Sequence, residues 1–302
     1  MDVSEQPDQH LITVRDWLRY AVSRFNDARL VYGHGTTNAR DEAAFLILHT
    51  LKLPIDQLDP WLDARLLMSE RAALRAIIEK RISTRKPAPY LTNEAWAGGH
   101  AFYVDERVIV PRSYIAELMA QGLEDVLPEI AEAGRILDLC TGSGCLAILA
   151  ALAQPEAEVD AAELSADALA VAERNVSAYG LEDRVHLVRS DLFGGLEGRR
   201  YDLIISNPPY VSTESVAAFP PEYAAEPTQA HAGGGDGLNL VRRILAEAPA
   251  HLTPHSTLLM EIGTGRDILE AEFPDLPFLW LDTEESEGEV LALRAADLAG
   301  RT

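Results

Sequence analysis

Long apolar runs, cysteine and positive charge are all scarce in this chain of 302 residues, and each shortage narrows what it can be. The longest uninterrupted apolar run, Cys145 to Ala153, has nine residues, well short of the roughly 18 that a membrane-spanning helix needs. No membrane association is expected. The two cysteines, Cys140 and Cys145, form neither a Cys-x-x-Cys pair nor a cluster with nearby histidines, so no metal site is expected and both read as buried free thiols. Met1 to His10 is polar and acidic, without a basic segment or an apolar core, so it does not read as a secretory signal and a soluble, cytoplasmic protein is expected. Lysine and arginine number 26 against 48 aspartates and glutamates, a formal net charge of −22. On average such a surface repels phosphate backbones and attracts basic partners, such as ribosomal proteins. Direct binding to duplex DNA is therefore not expected.

What is present is ordinary globular material, 47% hydrophobic and 25% charged, in a length that suggests two domains. Residues 11 to 86 read as helical. Leu11, Val14, Leu18, Ala21, Val22 and Phe25 recur at helical spacing behind Thr13 and Asp16 as a capping pair. A second helix is predicted from Asp41 to about Leu51, and a third from an N-cap at Ser69, with Leu74, Ile77, Ile78 and Ile82 on one face. Residues 87 to 111, punctuated by Pro87, Pro89, Gly98 and Gly99, read as a β-hairpin linker, and a helix from Ser113 to about Leu127 follows. From Arg135 short apolar strands alternate with helices: Ile136–Cys140, Val159–Glu163, Val185–Arg189, Leu203–Ser206, Leu258–Ile262, Phe278–Leu281 and Val290–Leu293. That alternation is the mark of βαβ units and a mainly parallel sheet, an α/β fold. The expected division is a helical domain over 1–86, a linker over 87–111 and an α/β domain over 112–302. There is no internal repeat or low-complexity tract.

The first strand runs into Asp138-Leu139-Cys140-Thr141-Gly142-Ser143-Gly144-Cys145. Two glycines allow a tight turn and close backbone approach to a ligand as the next helix opens. Glu163 ends the second strand, 21 residues beyond Gly142, where a carboxylate can accept from ribose hydroxyls. Asp191, after the third strand, is placed to hold an adenine amino group. Gly142, Gly144 and Ala147 also satisfy a loose dinucleotide pattern, and a purely structural loop stays open as well. Asp138 at the loop entrance suits a cationic ligand bearing an amine and a sulfonium better than a pyrophosphate.

The fourth strand ends in Ser206-Asn207-Pro208-Pro209-Tyr210. The Asn207 side-chain oxygen and the Pro208 carbonyl can both accept from one planar NH₂ group, held by the fixed backbone of two consecutive prolines. An amide nitrogen is a poor nucleophile because its lone pair is delocalised, so fixing both protons favours attack by positioning and electrostatics, without a general base. Tyr210 supplies a flat wall. Asn-Pro is also a common turn signal. If the first and fourth strands are neighbours where strand order reverses, the two motifs converge on one cleft.

With these residues the chain resembles the amino-methyltransferases that carry Asn-Pro-Pro-Tyr, and within them the protein glutamine-N5 methyltransferases, in the branch that acts on large-subunit ribosomal protein three. The likeness runs through Tyr32-Gly33-His34-Gly35-Thr36, Ala88–Asn93, Phe102–Ser113, Cys140–Cys145 and Gly235-Asp236-Gly237-Leu238. It implies a Rossmann-like domain with a seven-stranded sheet whose last strand is antiparallel, and S-adenosylmethionine as methyl donor. It also implies that Thr141, Gly142, Ser143, Gly144, Glu163 and Asp191 hold the donor, with Asp138 and Asn207 beside it. Asn207, Pro208, Pro209 and Tyr210 would hold the glutamine amide of a basic protein. Glu163 stands where aspartate is more usual in the family, and Thr283–Glu289 replaces a glycine-rich turn with an acidic one, read as a solvated hairpin. The same tetrad serves the methylation of release factors at Gly-Gly-Gln and of adenine N6 in DNA, and a non-catalytic ribosome-assembly factor could retain the fold. The Val211–Gly237 connection, far longer than the roughly two to six residues usual for such loops, is expected to order over a protein substrate. Arg112 and Glu117 are expected to close over the donor, and His34, alone between two glycines, to be structural.

Overall fold

The computed structural model describes residues 7–123, 127–131, 133–284 and 286–298. The chain divides into two compact units: one comprises Met1–Glu94 with Pro220–Ala225, the other Ala95–Phe219 with Glu226–Thr302.

The first unit is helical, and its helices start where side chains satisfy the free amides of a first turn. The helix Val14–Asp27 opens with a reciprocal cap, Thr13 Oγ1 accepting from Asp16 N at 3.2 Å and Asp16 Oδ2 accepting from Thr13 N at 2.9 Å. Asn38 caps the helix Ala39–Thr50, accepting from Arg40 N and Asp41 N at 3.0 Å each, so that helix begins two residues before the expected Asp41. The helix Met68–Thr84 starts one residue before Ser69. Glu70 reaches back to accept from Leu67 N at 2.7 Å, and Ser69 lies inside the first turn rather than capping it. Trp17, Phe25, Leu46, Leu74 and Ile78 pack together at the centre, fully buried. His34 is buried with its ring centroid 4.3 Å from that of Tyr223. Beside this core Arg81 Nε donates to Glu42 Oε1 at 2.7 Å with both side chains buried. Pro220–Ala225 joins this unit through Glu222, whose buried Oε1 accepts from Val31 N at 3.0 Å and Arg85 Nη2 at 2.6 Å.

The second unit opens with the antiparallel pair β1 (Ala95–Ala97) and β2 (His100–Phe102) around the Gly98-Gly99 turn. The region expected as a hairpin linker also holds a short helix, Ala88–Thr92, because Pro89 sits in a first turn that needs no proline amide. The helix Tyr114–Ala120 follows, capped by Ser113. The stretch expected to continue it to Leu127 includes residues 124–126, which lie outside the described residues.

Seven strands form one sheet: β3 (Arg135–Leu139), β4 (Glu158–Glu163), β5 (Val185–Arg189), β6 (Tyr201–Ser206), β7 (Leu252–Glu261), β8 (Leu279–Leu281) and β9 (Val290–Arg294). Their spatial order is β5-β4-β3-β6-β7-β9-β8, with β9 antiparallel to both neighbours and the pairs from β5 to β7 parallel. Alternating residues serve the two faces. Ile136, Leu203 and Ile205 pack with the helix Cys145–Ala153, while Leu137, Leu139 and Ile204 pack with Val241 and Ile244 of the helix Asn239–Glu247. The strand order reverses between β3 and β6, and that crevice is where an open α/β sheet binds its ligands.

Candidate active site

Parallel pairing sets Leu139 opposite Ser206, so the glycine loop leaves β3 and Asn207 leaves β6 at one level. Ser206 Oγ donates to Leu139 O at 2.9 Å and ties the two strand ends.

The glycine loop is held from below. Asp138 is fully buried, its Oδ2 accepting from Thr141 Oγ1 and from Ala147 N at 3.0 Å. Its other oxygen, Oδ1, is buried without a partner. Burial pushes the Asp138 carboxyl up to about 7, against the pull of the Thr141 and Ala147 hydrogen bonds. Gly144 has φ +79°, and a Cβ there would stand 3.2 Å from the Ala172 Cβ, so the turn into the helix admits no side chain. Thr141 and Ser143 are buried, and the Ser143 carbonyl accepts from Asn175 Nδ2 at 2.8 Å.

Glu163 reaches back across the crevice from the end of β4. Its Oε2 accepts from Gly142 N at 3.0 Å and its Oε1 from Ser165 N at 2.9 Å. A carboxylate has about four lone-pair sites, so two amide contacts leave room for hydroxyl donors. Asp191, after β5, is exposed and pairs with Arg243 Nη1 at 3.0 Å.

Between these elements lies a cavity of about 120 Å³, partly open to solvent. Gly142, Glu163, Asp191, Asn207 and Pro209 line it together with apolar Ile109, Leu164, Leu192 and Leu240. Asp138, Thr141, Ser143 and Gly144 belong to the same strand end and loop without lining the cavity, and Pro208 and Tyr210 do not line it either. Arg107–Ile109 and Pro227–Ala230 form further wall, and Glu226 joins these two segments. Its Oε1 accepts from Val110 N at 2.9 Å and from Arg112 Nη1 at 2.7 Å, and its Oε2 from Arg112 Nη2 at 2.8 Å. The Arg112 guanidinium is thus engaged by Glu226. Glu117 accepts from Gln121 Nε2 at 3.0 Å and from Glu284 N at 2.8 Å in the acidic turn between β8 and β9.

Tyr210 is oriented from the next strand. Its hydroxyl donates to Glu261 Oε1 at 2.7 Å, and Glu261 Oε2 accepts from Ser113 Oγ at 2.7 Å and Tyr114 N at 2.9 Å. Burial raises both the Glu261 carboxyl and the Tyr210 hydroxyl above their ordinary ranges. The Val211–Gly237 connection carries its own short helix, Thr213–Ala217, and its far end returns to the motif. Val211 N donates to His231 O and Gly233 N to Val211 O, each at 2.9 Å. Neither Glu226 nor Glu261 was singled out in the sequence. The available signal was Glu261's charge inside the apolar run Leu258–Ile262.

The residues fit a cationic methyl donor. A buried carboxylate oxygen without a partner lies under a glycine loop, carboxylates stand at the ends of β4 and β5, and apolar side chains line the space between. Residues 116–219 match the family described as the methyltransferase small domain. The chain is 56% identical over 290 residues to the ribosomal protein uL3 glutamine methyltransferase of Bordetella pertussis, across 96% of this chain and 97% of that protein. It is 54% identical to the protein of that name from Neisseria gonorrhoeae, across 98% of each, and 54% identical to that from Bradyrhizobium diazoefficiens, across 95% of this chain and 92% of that protein. The crystal structure of the hMettl16 catalytic domain in complex with MAT2A 3′UTR hairpin 1 has the same kind of fold, with TM-score 0.50 and 16% identity across 91% of this chain and 90% of that one. The chain is an S-adenosylmethionine-dependent methyltransferase and belongs to the ribosomal protein uL3 glutamine methyltransferase family.

Proposed function

We propose that the chain methylates the side-chain amide nitrogen of a glutamine in ribosomal protein uL3. The observation that carries this reading is the level register of Leu139 and Ser206, which delivers the glycine loop and Asn207 to one cavity. S-adenosylmethionine, when bound, supplies an electrophilic methyl carbon on a sulfonium. Thr141, Gly142, Ser143 and Gly144 would hold it by the loop, Asp138 by its charge, Glu163 at the ribose and Asp191 at the adenine. Asn207 Oδ1 and the Pro208 carbonyl accept the two amide protons of the glutamine, Pro209 keeps that carbonyl in place, and Tyr210 covers the planar group. Aimed this way, the nitrogen would present its lone pair to the methyl carbon, and the proton lost after transfer would pass to water. No side chain need act as base.

The net charge of −22 suits a basic ribosomal protein as partner and disfavours duplex DNA. The helical segment 1–86 would dock that partner, 87–111 connect, and 112–302 carry out the transfer. Among the described residues no helix is long and apolar enough to cross a membrane, and the cytoplasm is the proposed site of action.

Replacing Asn207 with alanine tests the acceptor reading. The expected result is a loss of turnover of about 100-fold or more, as for removal of a fixed charge-stabilising group, with donor affinity changed by less than a few-fold. Near-normal turnover would contradict the amide clamp.

A further inference from the structure

Glu261 is a buried carboxylate at the end of a central strand, and the chemistry described above gives it no part. Burying a charge is costly unless its oxygens are satisfied, and an apolar residue of similar size often stabilises as well or better. Glu261 is satisfied by three donors from two distant segments: the Tyr210 hydroxyl on Oε1, and the Ser113 hydroxyl and Tyr114 amide on Oε2. On the other side of the tyrosine the contact is equally confined. Gly263, at φ +56°, lies directly against the ring, and a Cβ there would stand 2.7 Å from Tyr210 Cδ2 and Cε2. The ring is held between a hydrogen bond at its tip and a bare backbone at its edge. Both constraints come from Glu261 and Gly263, two residues apart at the exit of β7.

We propose that Glu261 is a positioning residue for the acceptor side of the reaction, fixing the Tyr210 ring through its hydroxyl while Gly263 fixes the ring's edge. The inference rests on the reading of Asn207–Tyr210 as the acceptor site. A planar amide is bound productively only if its flat wall stands at one angle, and a tyrosine free to turn about its side-chain bonds does not provide that. The tyrosine hydroxyl has no chemical part in this account. It is the handle by which the strand holds the ring, so loss of the handle and loss of its holder are one defect.

The test is a mutant cycle on the full-length protein with unmodified uL3 as acceptor, reading kcat and KM for uL3 at saturating donor and donor affinity separately by calorimetry. Glu261→Ala and Tyr210→Phe are each expected to lower kcat/KM for uL3 by about tenfold or more, with donor affinity within twofold of wild type. The double variant is expected to be no worse than the poorer single, since residues acting as one unit are non-additive. Glu261→Gln is expected to recover most of the activity. Its oxygen can face the Ser113 and Tyr114 donors while its NH₂ donates to a Tyr210 hydroxyl that has turned to accept. Gly263→Ala, which leaves Glu261 intact, is expected to reproduce the acceptor defect and serves where Glu261→Ala does not fold. Additive losses in the double variant would overturn the proposal, as would a glutamine variant as damaged as the alanine one or a Gly263→Ala protein with normal kcat/KM. Failure of the acceptor reading itself shows separately, as normal turnover by Asn207→Ala.

Discussion

Glu226 takes both terminal nitrogens of Arg112, at 2.7 and 2.8 Å, and so fastens the segment before the sheet to the segment that walls the cavity from the other side. The Glu226 side chain is fully buried while that of Arg112 is 26% exposed, so the carboxylate bears the cost if the pair is broken. Glu226→Ala removes that buried charge but also the acceptor of the Val110 amide and the Arg112 guanidinium, and is expected to destabilise the protein by about 1–3 kcal/mol. It should also weaken donor binding about tenfold, because Arg107–Ile109 and Pro227–Ala230 lose their common anchor. Thermal unfolding and calorimetry separate the two effects. A lowered melting temperature with unchanged donor affinity would reduce the pair to a structural tie.

Asp138 is expected to make donor binding depend on pH. Its carboxyl lies at about 7 when buried beneath the loop, against 3.8 for an ordinary aspartate. The folded protein therefore holds a proton that the unfolded chain has lost, and the stability this contributes is complete below about 4 and disappears as pH rises through about 7. A cationic donor held beside the carboxylate would favour its charged form and drive that proton off. Affinity for S-adenosylmethionine should accordingly rise as pH increases from 6 to 8, by at most about tenfold per pH unit, with protons released on binding. Calorimetry in buffers of different ionisation enthalpy measures the release. Asp138→Asn should abolish both the slope and the release, and an unchanged slope in that variant would place the titrating group elsewhere.

The two carboxylates on the cavity wall differ in their surroundings and should differ in the result of removal. Glu163→Ala loses a side chain that also braces Gly142 and Ser165, and is expected to weaken donor binding and lower stability together. Asp191→Ala is expected to weaken donor binding about tenfold with little change in stability, since its pair with Arg243 is exposed and such pairs contribute about 0–1 kcal/mol. Arg243→Ala should change donor affinity less than threefold. Unchanged affinity in both carboxylate variants would remove them from the donor site.

Much of the sheet was legible because each strand is a short apolar run bounded by turn residues. The expected Val185–Arg189 coincides with β5, and the others lie within two residues of the observed bounds except Leu258–Ile262, because β7 begins six residues earlier at Leu252, in the more polar stretch Thr253–Thr257. The convergence of Gly142 and Asn207 was legible too, since the reversal of strand order follows from chain connectivity. Contacts between residues remote in sequence were not. The expected single loop from Val211 to Gly237 contains Pro220–Ala225, which packs with the helical unit because Glu222 meets Val31 and Arg85, 191 and 137 residues away. The grip of Glu226 on Arg112, 114 residues away, could not be read from the sequence either. Local misreadings were caps: Asn38 caps a helix that was expected to begin at Asp41, and Glu70 bonding to Leu67 N displaces Ser69 from the cap.

Labelled S-adenosylmethionine with two purified acceptors, unmodified uL3 and a peptide-chain release factor, followed by mass mapping of the labelled peptide, tests glutamine methylation of uL3 by this chain. Label is expected on uL3 alone, as a single methyl group on a glutamine side-chain amide, and none with Asn207→Ala. Label on the release factor in place of uL3 would keep the donor site and contradict the substrate. Methyl on any side chain other than glutamine would contradict the amide clamp itself.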